Sequence, residues 1–117
     1  MRKLNKRALA LALLFIVTGC LPYFGREIIK ETIDEVARPY EKEINIQIPA
    51  NRAVYKRKVS VKGEIDKKCI INLVELGPGK IDTVIYKGDH YGTNYYIKYE
   101  PLQASEGQLT LEVTFYY

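Results

Sequence analysis

The chain has 117 residues, of which 47% are hydrophobic, and it contains two cysteines and no tryptophan. Its formal net charge is +4, but four of its basic side chains lie within the first seven residues. The rest of the chain carries 14 basic and 14 acidic side chains. This balance argues against nucleic-acid binding, which requires a clustered excess of positive charge. The length allows one small domain and a short tether.

The first 20 residues have the organisation of a secretory signal. Basic Arg2, Lys3, Lys6 and Arg7 precede an apolar run from residue 8 to residue 17, and small residues follow. An uncleaved transmembrane helix is the first alternative, but a span needs about 20 apolar residues, and this run is half that length. An ordinary secretory signal with an incidental cysteine is the second alternative.

The end of this segment, Val17-Thr18-Gly19-Cys20, resembles the lipobox of bacterial lipoproteins, with valine where leucine is commonest. The resemblance covers residues 1–20 only. It implies that Cys20 carries a diacylglycerol with palmitate-type chains and that a peptidase removes residues 1–19. The protein would then be lipid-anchored at the cell membrane. Leu21 after the cysteine, instead of aspartate, implies the periplasmic side of the outer membrane if the source is Gram-negative.

Residues 20–42 are expected to form a lipidated tether that contains one short amphipathic helix. Between Arg26 and Arg38, Ile29, Ile33 and Val36 recur at helical spacing, and Pro39 would end the helix. Because an isolated helix of this length is marginal in water, we expect it to pack on the domain that follows or to dock on a partner.

From residue 43 to residue 117 the apolar residues alternate with a period of two. The pattern predicts about six short strands, at residues 44–48, 54–62, 69–76, 81–87, 95–99 and 109–117. The apolar run 69–76 predicts a central strand buried on both faces. In the second strand, Arg57 falls on the same side as Val59 and Val61. Short strands separated by Gly/Pro turns indicate a mainly β protein, specifically a small antiparallel β-sandwich.

Few residues could carry chemistry. His90 is the only histidine, and its loop neighbours favour a solvated side chain over a catalytic one. Asp and Glu residues show no metal-ligand spacing, so we predict no metal, no cofactor and no enzymatic activity. With Cys20 used by lipid, Cys69 has no intramolecular disulfide partner, and we expect it to be a small buried apolar group.

The distribution of tyrosine is the remaining signal. Seven of the ten tyrosines lie between residues 86 and 117. We expect Tyr91 in a loop, and Tyr96 and Tyr116 on the polar sides of their strands, to be exposed. Exposed tyrosines suit protein or sugar binding, although tyrosine is also a favoured strand residue. The candidate binding residues are therefore Tyr91, Tyr96, Tyr116 and His90.

A basic run is the other surface feature of this segment. Its members are Arg52, Lys56, Arg57 and Lys58. The run could meet anionic lipid or a wall polymer, or it could be a solvated edge that prevents aggregation.

Two functional hypotheses follow from these features. The first is a lipid-tethered, non-enzymatic interaction module that presents a Tyr-rich β-domain to an envelope protein. The alternative is a ligand-binding lipoprotein that captures a glycan or another small molecule. A flat Tyr96/Tyr116 surface would favour the first, and a concave tyrosine-lined pocket would favour the second.

Overall fold

A computed structural model describes residues 25–117, which form eight strands in two antiparallel four-stranded sheets. The strands are β1 (Arg26–Ile33), β2 (Tyr40–Asn45), β3 (Lys56–Ile65), β4 (Cys69–Ile71), β5 (Val74–Leu76), β6 (Gly79–Asp89), β7 (Asn94–Glu100) and β8 (Gly107–Tyr116). Sheet A has the order β1-β8-β3-β6, and sheet B has the order β2-β7-β4-β5. The predicted mainly β sandwich is confirmed. Cys20 and the signal segment lie outside the described residues.

The core lies between the inner faces of the two sheets. In β8, Leu109, Leu111, Val113 and Phe115 are fully buried, and the residues between them face outward. Burying side chains of this size stabilises the fold by about 1.5–3 kcal/mol each. From sheet B, alternate residues of β7 complete the core, as the sequence predicted. These are Tyr95, Ile97 and Tyr99.

The helix predicted over Arg26–Arg38 is wrong, because this segment contributes strand β1. Strand β1 pairs with β8 along its whole length, from Arg26 opposite Tyr116 to Ile33 opposite Leu109. The four-residue spacing of Ile29 and Ile33 satisfies a strand period as well as a helical one. Pairing with a buried central strand then stabilises the extended form, whereas a short helix is marginal. The β-domain therefore begins before residue 43, its predicted start.

The single central strand predicted over 69–76 is also wrong. It is a hairpin in which β4 and β5 pair across a two-residue turn at Asn72 and Leu73. These residues have φ of 45° and 70°, the left-handed combination that a two-residue hairpin turn requires and that Asn-Gly usually supplies. Leucine in place of glycine conceals the turn in the sequence. The hairpin adds one strand and β1 adds another, so the structure has eight strands instead of the predicted six.

Polar bonds secure the crossing of the chain from β1 in sheet A to β2 in sheet B. The Glu31 carboxylate accepts a hydrogen bond from the Tyr40 hydroxyl at 3.0 Å and one from Lys42 Nζ at 2.6 Å. Within the connection, the Val36 carbonyl accepts a hydrogen bond of 2.6 Å from the buried Tyr99 hydroxyl. The two sheets are thus tied together along this edge.

Sheet B covers sheet A unequally. Strands β4 and β5 have three residues each, whereas β3 and β6, which lie in sheet A, have 10 and 11. The β4–β5 hairpin reaches only as far as the middle of β7, where the Asn72 N–H donates to the Lys98 carbonyl at 3.0 Å. Beyond the hairpin turn, side chains instead of strands must cover the inner face of β3 and β6.

Cys69 is fully buried in β4, as predicted. Burial raises the pKa of its thiol to about 11. Since the thiolate is the reactive form, we expect a thiol reagent at pH 8 to modify the native Cys20→Ser chain far more slowly than the same chain in denaturant. Equal labelling rates in the two conditions would contradict this burial.

Candidate functional site

Arg57 lies at the end of the sandwich that the short hairpin leaves uncovered. It occupies an inward-facing position of β3, opposite Phe115 in β8 and Gly88 in β6. Its guanidinium carbon lies 4.4 Å from the centroid of the Tyr86 ring and 4.1 Å from that of Tyr95. A flat cation between two aromatic faces closes this end of the core, because guanidinium stacks favourably on aromatic rings.

His90 completes this cluster and is not the solvated loop residue that the sequence suggested. Its ring is half-buried, with its centroid 5.9 Å from that of Phe115. An Arg57 guanidinium N–H donates to Nδ1 at 2.9 Å, and Nε2 lies 3.0 Å from the Asn94 carbonyl oxygen. Both bonds require the neutral tautomer with its proton on Nε2. A second proton on Nδ1 would abolish the bond from Arg57 and place two cations side by side.

The pKa of His90 is accordingly lowered from its ordinary value of 6.5. Burial is the main cause, and the Arg57 charge lowers it further, while the bond to the Asn94 carbonyl opposes both. Burial also lowers the pKa of Arg57. Arg57 Nε is buried and has no hydrogen-bond partner. The arrangement of this cluster is that of a structural cap on the core.

This cluster predicts a pH dependence of stability. The pKa of His90 is lower in the folded chain than in the unfolded chain. The contribution of His90 to the free energy of unfolding is therefore complete above pH 6.5 and is lost as the pH falls through the pKa of the folded state. We therefore expect urea unfolding to show a loss of stability as the pH is lowered below 6.5. His90→Gln, which removes the only histidine, should flatten this loss, and an unchanged slope in that variant would contradict the assignment.

The predicted binding tyrosines do not form one surface. Tyr96 lies on the outer face of sheet B, where it is 50% exposed and donates a hydrogen bond of 2.6 Å to Glu41. Tyr116 lies on the outer face of sheet A, on the opposite side of the molecule. Tyr91, in the loop between β6 and β7, is 78% exposed. The flat surface shared by Tyr96 and Tyr116, which would have favoured the interaction module, is therefore absent.

Leu73 is a surface residue that the sequence analysis missed. It is 96% exposed at the turn of the β4–β5 hairpin, although its backbone is left-handed. The turn is held firmly against β7 by its neighbour Asn72. The Asn72 side chain donates to the Tyr95 hydroxyl and, at 3.0 Å, to the Tyr96 carbonyl, and it accepts from the Lys98 N–H at 2.7 Å. An almost fully exposed leucine is thus presented on a turn that Asn72 joins to the backbone of Tyr96.

The outer faces of the two sheets carry opposite charge. Sheet A presents seven cations and four carboxylates outward, a net charge of +3. They are Arg26, Lys30, Lys56, Lys58, Lys62, Lys80 and Lys87, with Glu64, Asp82, Asp89 and Glu112. Sheet B presents Glu41, Glu43, Glu75 and Glu100 with Lys98, a net charge of −3. The balanced composition therefore conceals a molecule with one basic and one acidic face.

One aromatic recess lies on the basic face, at the end where strand β1 begins. It has a volume of about 450 Å³ and is lined by Gly25, Arg26, Tyr55, Lys56 and Tyr116. The centroids of the two tyrosine rings are 6.5 Å apart, and Lys56 Nζ lies 5.1 Å from the centroid of Tyr116. The recess combines aromatic faces with two cations.

Comparison with known proteins gives no family assignment. No family model matches the chain, and no curated protein matches it. Within residues 25–117, no three side chains of His, Cys, Asp or Glu come together as a metal site. In the same range, no helix is long and apolar enough to cross a membrane.

Proposed function

We propose that this protein is a bacterial envelope lipoprotein, anchored through Cys20, whose β-sandwich is a non-enzymatic protein-interaction module. The lipobox-like segment before Cys20 supports the anchor. Leu73, which is 96% exposed on a turn that Asn72 joins to the Tyr96 carbonyl, supports the interaction surface. The surface comprises Leu73, Tyr96 and the acidic side chains around them, and its partner is an envelope protein with an apolar pocket.

The energetics of Leu73 favour a binding role over a structural one. A left-handed backbone costs a residue with a Cβ roughly 1–2 kcal/mol relative to glycine, and strained residues of this kind cluster at functional sites. In the free protein, packing of the Leu73 side chain does not offset this backbone cost, since the side chain is almost fully exposed. Burial of a leucine in a partner would contribute about 1.5–3 kcal/mol.

Leu73→Gly separates binding from stability. Glycine adopts the left-handed turn without strain, so we expect the free energy of unfolding to rise by about 1 kcal/mol. Because the apolar anchor is lost, recovery of the partner from envelope extracts should fall in the same variant, and Tyr96→Ala should lower it too.

The matched control is Leu102→Gly, since Leu102 is also an exposed leucine with a positive φ, of 49°. It lies in the turn between β7 and β8, away from Tyr96, and should leave recovery unchanged. Equal recovery with the Leu73→Gly and Leu102→Gly variants would exclude Leu73 as the anchor.

The lipid anchor has its own test. Cys20 is the nucleophile that would take the diacylglycerol, and two or more chains give stable membrane attachment. We expect Cys20→Ser to abolish labelling with radioactive palmitate and to leave the precursor uncut. A shortened Ser variant that still fractionates with membranes would show that another feature anchors the protein.

The alternative, capture of a glycan or small molecule, has the recess lined by Tyr55 and Tyr116 in its favour. Capture between the sheets is disfavoured, because side chains that are at most 8% exposed fill that space. A glycan array or a thermal-shift panel tests the alternative. A response that Tyr116→Ala removes would support it, and no response would count against it.

A further inference from the structure

We infer that the basic end of sheet A docks on the anionic phospholipid surface of the membrane in which the protein is anchored. This inference rests on the proposed lipidation of Cys20 and assigns a role to a surface that the interaction module does not use. We call this surface the basic end. It comprises the recess residues together with Ile28, Lys58 and Lys87.

Strand β1 enters the fold at the basic end. Gly25 and Tyr117 exchange two backbone hydrogen bonds, of 2.8 and 2.9 Å, so β1 begins at the recess. Cys20 precedes Gly25 by five residues, which span at most about 18 Å when extended. A lipid on Cys20 would therefore hold the basic end, and not the opposite end of the sandwich, within reach of the headgroups.

The basic end carries an excess of positive charge. Outward-facing residues that lie opposite one another across the four strands of sheet A form rows. The outermost row contains Arg26, Tyr116, Lys56 and Asp89, and the next row contains Ile28, Thr114, Lys58 and Lys87. These rows hold four cations and one carboxylate, a net charge of +3. Among residues 25–117, no carboxylate forms an ion pair with any of the four cations.

The register adds a repulsion within this surface. Lys58 and Lys87 lie directly opposite each other across β3 and β6, and like charges in that position are destabilising. The other charged cross-strand pairs of these two strands join opposite charges: Lys56 and Asp89 at the basic end, and Lys62 with Asp82 and Glu64 with Lys80 further along. The like-charge pair of β3 and β6 thus lies at the basic end, and anionic headgroups there would relieve the repulsion between its two lysines.

The same end also has an apolar character. Tyr55, Tyr116 and Ile28 lie among the cations, and Tyr55 and Ile28 are exposed. Tyrosine is favoured at the level of the headgroups, where one end of the side chain is apolar and the other is wet. Cationic side chains near an anionic bilayer each strengthen binding by about fivefold. The outer face of sheet B, with a net charge of −3, would instead be repelled.

The test uses tryptophan as a depth reporter, because the chain contains none. Lipidated protein carrying Tyr55→Trp is reconstituted into vesicles of phosphatidylcholine, or of phosphatidylcholine with phosphatidylglycerol, each with a lipid brominated near the glycerol end. We expect strong quenching only in the anionic vesicles. Raising the salt to about 1 M, where the Debye length is near 3 Å, should reduce it.

Two variants supply the controls. One is the triple variant Lys56→Gln, Lys58→Gln, Lys87→Gln. It should weaken docking about 100-fold, because each lost cation weakens binding about fivefold. The variant should keep its fold, since it removes the Lys58–Lys87 repulsion, and circular dichroism checks this. Tyr96→Trp places the reporter on sheet B and should remain unquenched in both kinds of vesicle.

The outcomes separate this inference from the function on which it rests. Protein that fails to float with neutral vesicles would overturn the lipid anchor and the docking together. Protein that floats with both vesicles but shows no quenching at position 55, equal quenching in both, or quenching only at position 96 would overturn the docking and leave the anchor standing.

Discussion

The antiparallel ladder between β1 and β8 is the constraint on which the arrangement of this molecule depends. Strand β8 is buried on its inner face from Leu109 to Phe115 and lies between β1 and β3. Pairing with β1 draws residues 26–33 into sheet A and fixes Gly25 at one end of it. The same ladder places Arg26 and Ile28 beside Tyr116, next to the cations of β3 and β6. The chain's entry point and its most basic surface thus coincide.

The unequal length of the two sheets accounts for the second feature of the fold. Because the β4–β5 hairpin ends at Leu73, a strand does not cover the inner face of β3 near Arg57. There the Arg57 guanidinium stacks between the rings of Tyr86 and Tyr95, which lets a cation occupy a core-facing position. Neutral His90 accepts a hydrogen bond from this guanidinium. The hairpin that leaves this end open also presents Leu73 on a turn that the Asn72 side chain binds to β7. In this account, a basic end faces the membrane and an acidic face with Leu73 and Tyr96 remains available to a partner.

Alternation of apolar residues was sufficient to predict the sandwich, the inward residues of β7 and β8, and the burial of Cys69. It failed where one pattern satisfies two structures. The spacing of Ile29 and Ile33 suits a helix and a strand equally, and only the distant partner strand β8 decides between them. Asn72-Leu73 lacks the glycine that marks a hairpin turn. Arg57 fell on the apolar side of its strand, as the alternation indicated, but its charge suggested a solvated edge. Which tyrosines share a face depends on strand order, which alternation does not specify.

The most direct test of the account is a nuclear Overhauser measurement on the isotope-labelled protein, directed at residues 26–33. The account predicts cross-strand contacts between backbone protons of β1 and β8, in the register that pairs Ile29 with Val113 and Ile33 with Leu109. Contacts between residues three apart within 26–38, with none to residues 109–116, would instead show a helix. That result would separate the entry of the chain from the basic end and contradict the account.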